Sequence, residues 1–256
     1  HYPLRRQRQM CIRDRNDDQT MYERTRTVDE DQRRVIDIVV QYVRSLRKCK
    51  NRDDMKLPDP PLLVVQGGAG SGKSFVIDLL AQWITKILRK PGDDPDHPYV
   101  IKCAQTGTAA TIIDGITLHK AFNLIFGNKI QSIGDKVKEQ LRQSLENLEV
   151  LIIDEYSLVK SDLLYQIDHR LQEINMKPNI PFGGCAVIML GDILQIKPVR
   201  APYIFEAPQN SNMEDSFLIE SLFEKFQIPN PVLASFFVFA ISSKLLSFWP
   251  LDCSHN

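Results

Sequence analysis

The octapeptide Gly67-Gly68-Ala69-Gly70-Ser71-Gly72-Lys73-Ser74 has the spacing GxxxxGK[ST]. Glycines so placed let successive backbone N–H groups turn into one concavity. A helix starting directly after them adds positive potential, and together these suit the phosphates of a nucleotide. In that chemistry residues 67–72 line the phosphate chain, Lys73 reaches the β and γ phosphates, and the Ser74 hydroxyl ligates Mg²⁺. A second signal is Val150-Leu151-Ile152-Ile153-Asp154-Glu155, an apolar run ending in two acids. Asp154 is the candidate to hold Mg²⁺ through its water shell, and Glu155 is the candidate base that orients and deprotonates the attacking water. A third run, residues 185–190, leads into Gly191-Asp192-Ile193-Leu194-Gln195. It puts the Gln195 amide where it could sense the γ phosphate.

These residues converge only if the runs are strands of one sheet. Leu62-Leu63-Val64-Val65 is continuous and apolar and ends in glycines, as a strand buried on both faces does. Runs at residues 99–104, 150–153 and 185–190 repeat the theme. Helical patterns lie between them near 73–88, 117–126, 135–145 and 162–174. Strands alternating with helices predict βαβ crossovers and an α/β fold with a mainly parallel sheet, whose carboxyl edge gathers ligand-binding loops. Upstream, Asp29 can cap a helix in which Val35, Ile36, Val39, Val40, Val43 and Leu46 recur at helical spacing to about residue 47. Residues 48–61 read as a connecting loop.

Residues 1–27 are charged and aperiodic and are expected to be disordered. They lack the apolar core of a secretory signal. From residue 222 onward charges are sparse, and Phe236-Phe237-Val238-Phe239 has no polar alternation. This block fits either a buried segment completing the core or a tail foreign to the fold. The apolar stretch 233–249 is interrupted by Ser235, Ser242, Ser243 and Lys244 and does not read as a membrane span. Among 256 residues, 32 Lys and Arg balance 32 Asp and Glu, which excludes a histone-like basic protein. Any nucleic-acid contact is then a local patch. The five cysteines are scattered without a CxxC pair, so neither a zinc site nor a disulfide framework is expected.

Further segments fall in a specific order: Gln105-Thr106-Gly107-Thr108-Ala109-Ala110, Thr117-Leu118-His119-Lys120-Ala121-Phe122, Asp154-Glu155-Tyr156-Ser157, Pro181-Phe182-Gly183-Gly184 and Gly191-Asp192-Ile193-Leu194-Gln195. Together with the phosphate-loop motif, over about residues 28–226, they resemble the petite-integration-frequency DNA helicases. These are RecD-like superfamily-one enzymes that move 5′ to 3′ on single-stranded DNA. The resemblance implies a RecA-like first motor lobe, with Gln32 reading the adenine edge and Thr106 and Gly107 holding DNA phosphates. His119 and Phe122 would face the bases, where aromatic and imidazole faces can stack without reading sequence; core packing is the competing reading for both. It further implies ATP and Mg²⁺ as cofactors, single-stranded and junction or structured DNA as partners, and a monomer with no membrane attachment. The implied roles are DNA repair, recombination and telomere maintenance, in the nucleus or the mitochondrion.

Two departures are mild: Gln105 stands where the family has proline, and Ile196-Lys197 stand where Leu-Pro is usual. The serious departure is that residues 229–256 match nothing of a second RecA-like lobe, whose arginines stabilise transition-state charge in such motors. The expectation is a chain that binds ATP weakly, hydrolyses it slowly and does not unwind DNA alone. The alternative is an ATP- and DNA-binding fragment without catalysis. A GTPase is disfavoured, because Asn128-Lys129-Ile130-Gln131 lacks the Asp of a guanine-reading NKxD.

Overall fold

The computed structural model describes residues 17–52, 54–124, 133–192, 195 and 236–240, with backbone alone for 17–19 and 236–240. In chain order the main elements are α1 (Asp17–Arg26), α2 (Glu30–Lys50), β1 (Leu62–Gly67), α3 (Lys73–Leu88), β2 (Val100–Ala104), α4 (Gly107–Ile112) and β3 (Ile116–Thr117). They continue through α5 (Leu118–Ala121), α6 (Asp135–Ser144), β4 (Val150–Asp154), α7 (Ser161–Ile174), β5 (Ala186–Gly191) and β6 (Phe236–Ala240). The sheet order is β3-β2-β4-β5-β1-β6, with β3 through β1 mutually parallel and β6 antiparallel on β1. The apolar block at 236–239 therefore joins the sheet edge.

Strands β1, β2, β4 and β5 are buried along their whole length. Their side chains alternate between two cores. Leu63, Val65, Ile152, Ile188 and Leu190 pack with α2 and α3 on one face, and Val64, Cys103, Ile153, Val187 and Met189 pack with α5 and α7 on the other. Burying each such aliphatic side chain contributes on the order of 1.5–3 kcal/mol. The layering fixes all four strand carboxyl ends on one edge. Helix α2 starts in a capping box: Gln32 N–H donates to Asp29 Oδ1 (2.8 Å) and Asp29 N–H to Gln32 Oε1 (3.2 Å). It runs three residues past the sequence estimate.

Disorder over residues 1–27 is overturned for 17–26, which form α1. Its sequence has little apolar periodicity, so the helix depends on distant partners. Met21 is buried, Trp83 Nε1 donates to Thr25 Oγ1 (3.1 Å), and Arg24 pairs with Asp78 (2.8 Å) while lying over the Phe75 ring. The helix expected near 117–126 is the single turn α5, and residues 125–132 lie outside the described part. The segment 181–184, where the family signature falls, is a corner: Asp168 accepts from Phe182 N–H, and Gln172 Nε2 holds the other Asp168 oxygen (2.9 Å). Ile196 and Lys197, where the family has Leu-Pro, lie outside the described residues. No helix among the described residues is long and apolar enough to cross a membrane.

Candidate nucleotide site

Strand β1 ends at Gly67, and the chain turns through Gly68, Ala69, Gly70, Ser71 and Gly72 into α3. Gly70 and Gly72 have φ of 78° and 79°, where a side chain would be strained, and a Cβ on Gly72 would also lie 2.7 Å from Gln32 Nε2. The positive φ favours glycine at Gly72, and a side chain there would also displace the Gln32 amide. Lys73 opens α3 and is only 9% exposed, which an ammonium tolerates because its Nζ donates to the Gly67 and Gly68 carbonyls at 2.7 and 3.0 Å. The charge thus sits inside the loop, where phosphate oxygens would compete for it. Ser71 Oγ is buried without a hydrogen bond, and Ser74 is exposed at the mouth of the loop.

Asp154 ends β4 and is 4% exposed. Burial pushes its carboxyl up to about 6, with the Glu155 charge adding to the rise, while the Glu155 backbone N–H and the Lys73 ammonium pull the other way. The loop after β1 and the acid ending β4 lie on the same carboxyl edge of the sheet, with β5 between them. Asp154 Oδ1 makes no hydrogen bond. An orphaned, buried carboxylate oxygen fits the hydration shell of Mg²⁺, which keeps several waters and takes one or two carboxylates plus phosphate oxygens. Among the described residues no three His, Cys, Asp or Glu converge on a metal position.

Glu155 is half-buried and left-handed (φ 54°, ψ 49°), a conformation that costs a non-glycine residue on the order of 1–3 kcal/mol. Gln195 is exposed in the turn beyond β5, its N–H on the Asp192 carbonyl (3.1 Å). Gln32 sits closer to the loop than an adenine reader alone requires. While its Oε1 completes the helix cap, its Nε2 donates to the Ser71 carbonyl (2.9 Å).

Of the residues expected to contact DNA, Thr106 caps α4 with Oγ1 accepting from Ala109 N–H (3.2 Å), and both it and Gly107 are exposed. His119 is half-buried, and burial lowers its pKa, so it is neutral at neutral pH. Of the two readings for Phe122, base stacking is overturned and core packing stands. Phe122 is 0% exposed in the core with Leu118 and Ala121, so it offers no face to a base. A polar chain was missed: Tyr156 Oη donates to Gln66 Oε1 (2.7 Å) and Gln66 Nε2 to Asp192 Oδ1 (2.7 Å). The signal available was a lone glutamine closing the apolar run before the phosphate loop.

A phosphate loop and an acidic strand end on one edge of a parallel sheet, one strand apart, define a RecA-like nucleotide-binding domain. Residues 27–227 match the family described as PIF1-like helicase, and the chain belongs to that family. It is 34% identical over 136 residues to the ATP-dependent DNA helicase RRM3 of Saccharomyces cerevisiae, covering 52% of this chain and 18% of that protein. It is 33% identical over 162 residues to the ATP-dependent DNA helicase PIF1 of Candida albicans, covering 62% and 17%. The chain thus spans less than a fifth of the length of these curated relatives. Among solved structures it is similar to the Pif1 helicase from Candida albicans (27% identity, TM-score 0.49, 67% of this chain and 34% of that one). It is also similar to Bacteroides Pif1 in complex with ADP-AlF4 (28% identity, TM-score 0.45, 72% and 35%).

Proposed function

We propose that the chain is the ATP-binding motor lobe of an ATP-dependent DNA helicase that moves 5′ to 3′ on single-stranded DNA. The observation that carries this reading is the buried Lys73 ammonium on the same sheet edge as the buried Asp154, whose Oδ1 has no hydrogen-bond partner, in a chain of the PIF1-like helicase family. The loop N–H groups and Lys73 bind the triphosphate, Ser74 and Asp154 hold Mg²⁺, and Glu155 accepts the proton of the attacking water. Mg²⁺, when bound, neutralises charge on the phosphates. Gln32 ties the adenine side to the loop, and Gln195 reports the γ phosphate. Thr106, Gly107 and His119 form the DNA-facing side.

Curated relatives named as DNA helicases support DNA as the polynucleotide. We infer repair, recombination and telomere maintenance as the processes such a motor serves. Turnover by this chain by itself is slow, because arginines from a facing lobe can be worth about 10³–10⁵ in phosphoryl transfer. The test is ATP turnover by the purified chain with and without single-stranded DNA, beside Lys73→Ala and Glu155→Gln. DNA-stimulated turnover abolished in both variants supports the reading. Nucleotide binding without turnover would favour the non-catalytic fragment instead.

A further inference from the structure

We propose that Gln66, Tyr156 and Asp192 form a buried brace that sets the phosphate loop against the metal-holding strand end, and that the brace makes nucleotide binding responsive to Mg²⁺. The proposal rests on the ATP site described above and assigns three positioning residues to it.

The geometry is a path across three strands. Tyr156 directly follows Glu155 beyond β4, Gln66 directly precedes Gly67 in β1, and β5 lies between the two strands. The Tyr156 ring crosses β5 where Gly191 pairs in register with Gln66. A Cβ on Gly191 would fall 2.7 Å from Tyr156 Cδ1 and 2.9 Å from its backbone nitrogen, so only glycine leaves room for the crossing. Beyond it the Tyr156 hydroxyl donates to Gln66 Oε1 and Gln66 Nε2 to Asp192 Oδ1, both at 2.7 Å with all three residues buried. The other Asp192 oxygen is 4.0 Å from where a Cβ on Gly68 would stand, so the brace ends against the loop.

Both ends carry site residues. One residue beyond Gln66 is Gly67, whose carbonyl holds Lys73 Nζ. Two residues before Tyr156 is Asp154, and between them lies Glu155 in its left-handed backbone conformation. Strands β1 and β4 stand two spacings apart, roughly 9–10 Å, and one ion must be reached from both sides. Mg²⁺ demands near-ideal octahedral geometry, so a small change in that separation is felt by the metal-dependent part of binding. The phosphate loop, built within β1 and α3, does not depend on the separation.

The experiment is ATP affinity measured in Mg²⁺ and in EDTA for the full chain, Tyr156→Phe, Gln66→Leu and the double variant, with melting temperatures alongside. Tyr156→Phe keeps the ring and removes only the hydroxyl. The expected result is an Mg²⁺-dependent gain in affinity reduced about 5- to 20-fold in each single variant, with metal-free affinity within about twofold of the parent. The double variant should lose little more than either single, because the residues act as one chain. An unchanged ratio of the two affinities, with or without a lower melting temperature, would make the brace purely structural and overturn the proposal. Failure of the parent chain itself to bind ATP in either condition would overturn the nucleotide-site reading, and the brace with it.

Discussion

The nucleotide edge and the segment proposed to face DNA are built differently. At the nucleotide edge three working groups are buried and fixed in place, Lys73 on two loop carbonyls, Gln32 on the Ser71 carbonyl and Asp154 at the end of a fully buried strand, while Ser74 and Gln195 stand exposed at its rim. The segment proposed to face DNA, residues 105–123, consists of the six-residue α4, the two-residue β3 and the single turn α5, with left-handed Asp114 and Asn123. Its candidate contacts, Thr106 and Gly107, are exposed. Triphosphate chemistry needs one fixed arrangement in a low-dielectric recess. A strand of any sequence needs an open surface instead, and only the first requirement writes itself into the core.

Substitutions sharpen that contrast. The largest expected effect is Glu155→Gln, which should slow ATP turnover about 10²- to 10⁴-fold while leaving ATP binding within a few-fold, read by single-turnover hydrolysis and equilibrium binding. Phe122→Ala comes next. Filling core rather than facing DNA, it should cost about 3–5 kcal/mol in urea unfolding, with single-stranded DNA affinity of the folded fraction unchanged. A specific loss of DNA affinity at full stability would reinstate it as a contact.

Asp154→Asn inverts the sign of the stability effect. The folded carboxyl, raised to about 6 from an ordinary 3.8, keeps a proton between those pH values that the unfolded chain has released. Its contribution to stability therefore falls as pH rises from about 4 to 6 and stays low above. Asn removes that loss, so the variant should be more stable than the parent at pH 7–8 by on the order of 1–3 kcal/mol, while losing Mg²⁺-dependent ATP binding. Chemical denaturation across pH 4–8 reads this directly. The smallest effect is Thr106→Ala, about 1 kcal/mol through the lost cap, accompanied by weaker DNA binding.

Most of the nucleotide edge was legible in the sequence because local rules specify it. Gly70 and Gly72 of the phosphate loop fall where left-handed backbone is needed, α3 spans Lys73–Leu88 as the periodicity predicts, and Asp29 caps α2. What escaped depends on contacts distant in sequence. Helix α1 carries few apolar residues and is held by Trp83, Asp78 and Phe75. Phe122 has the spacing of either a core or a stacking aromatic, and only its neighbours decide. Gln66 and Tyr156 lie 90 residues apart, and their bond follows from a strand order that periodicity does not reveal.

The central claim is that Lys73 and Asp154 face one bound Mg²⁺-nucleotide. The most direct measurement is ATP titration of the parent chain, Lys73→Ala and Asp154→Asn in Mg²⁺. The account predicts saturable binding by the parent, no measurable binding by Lys73→Ala, and the residual metal-free affinity for Asp154→Asn. Equal binding by all three proteins would contradict it.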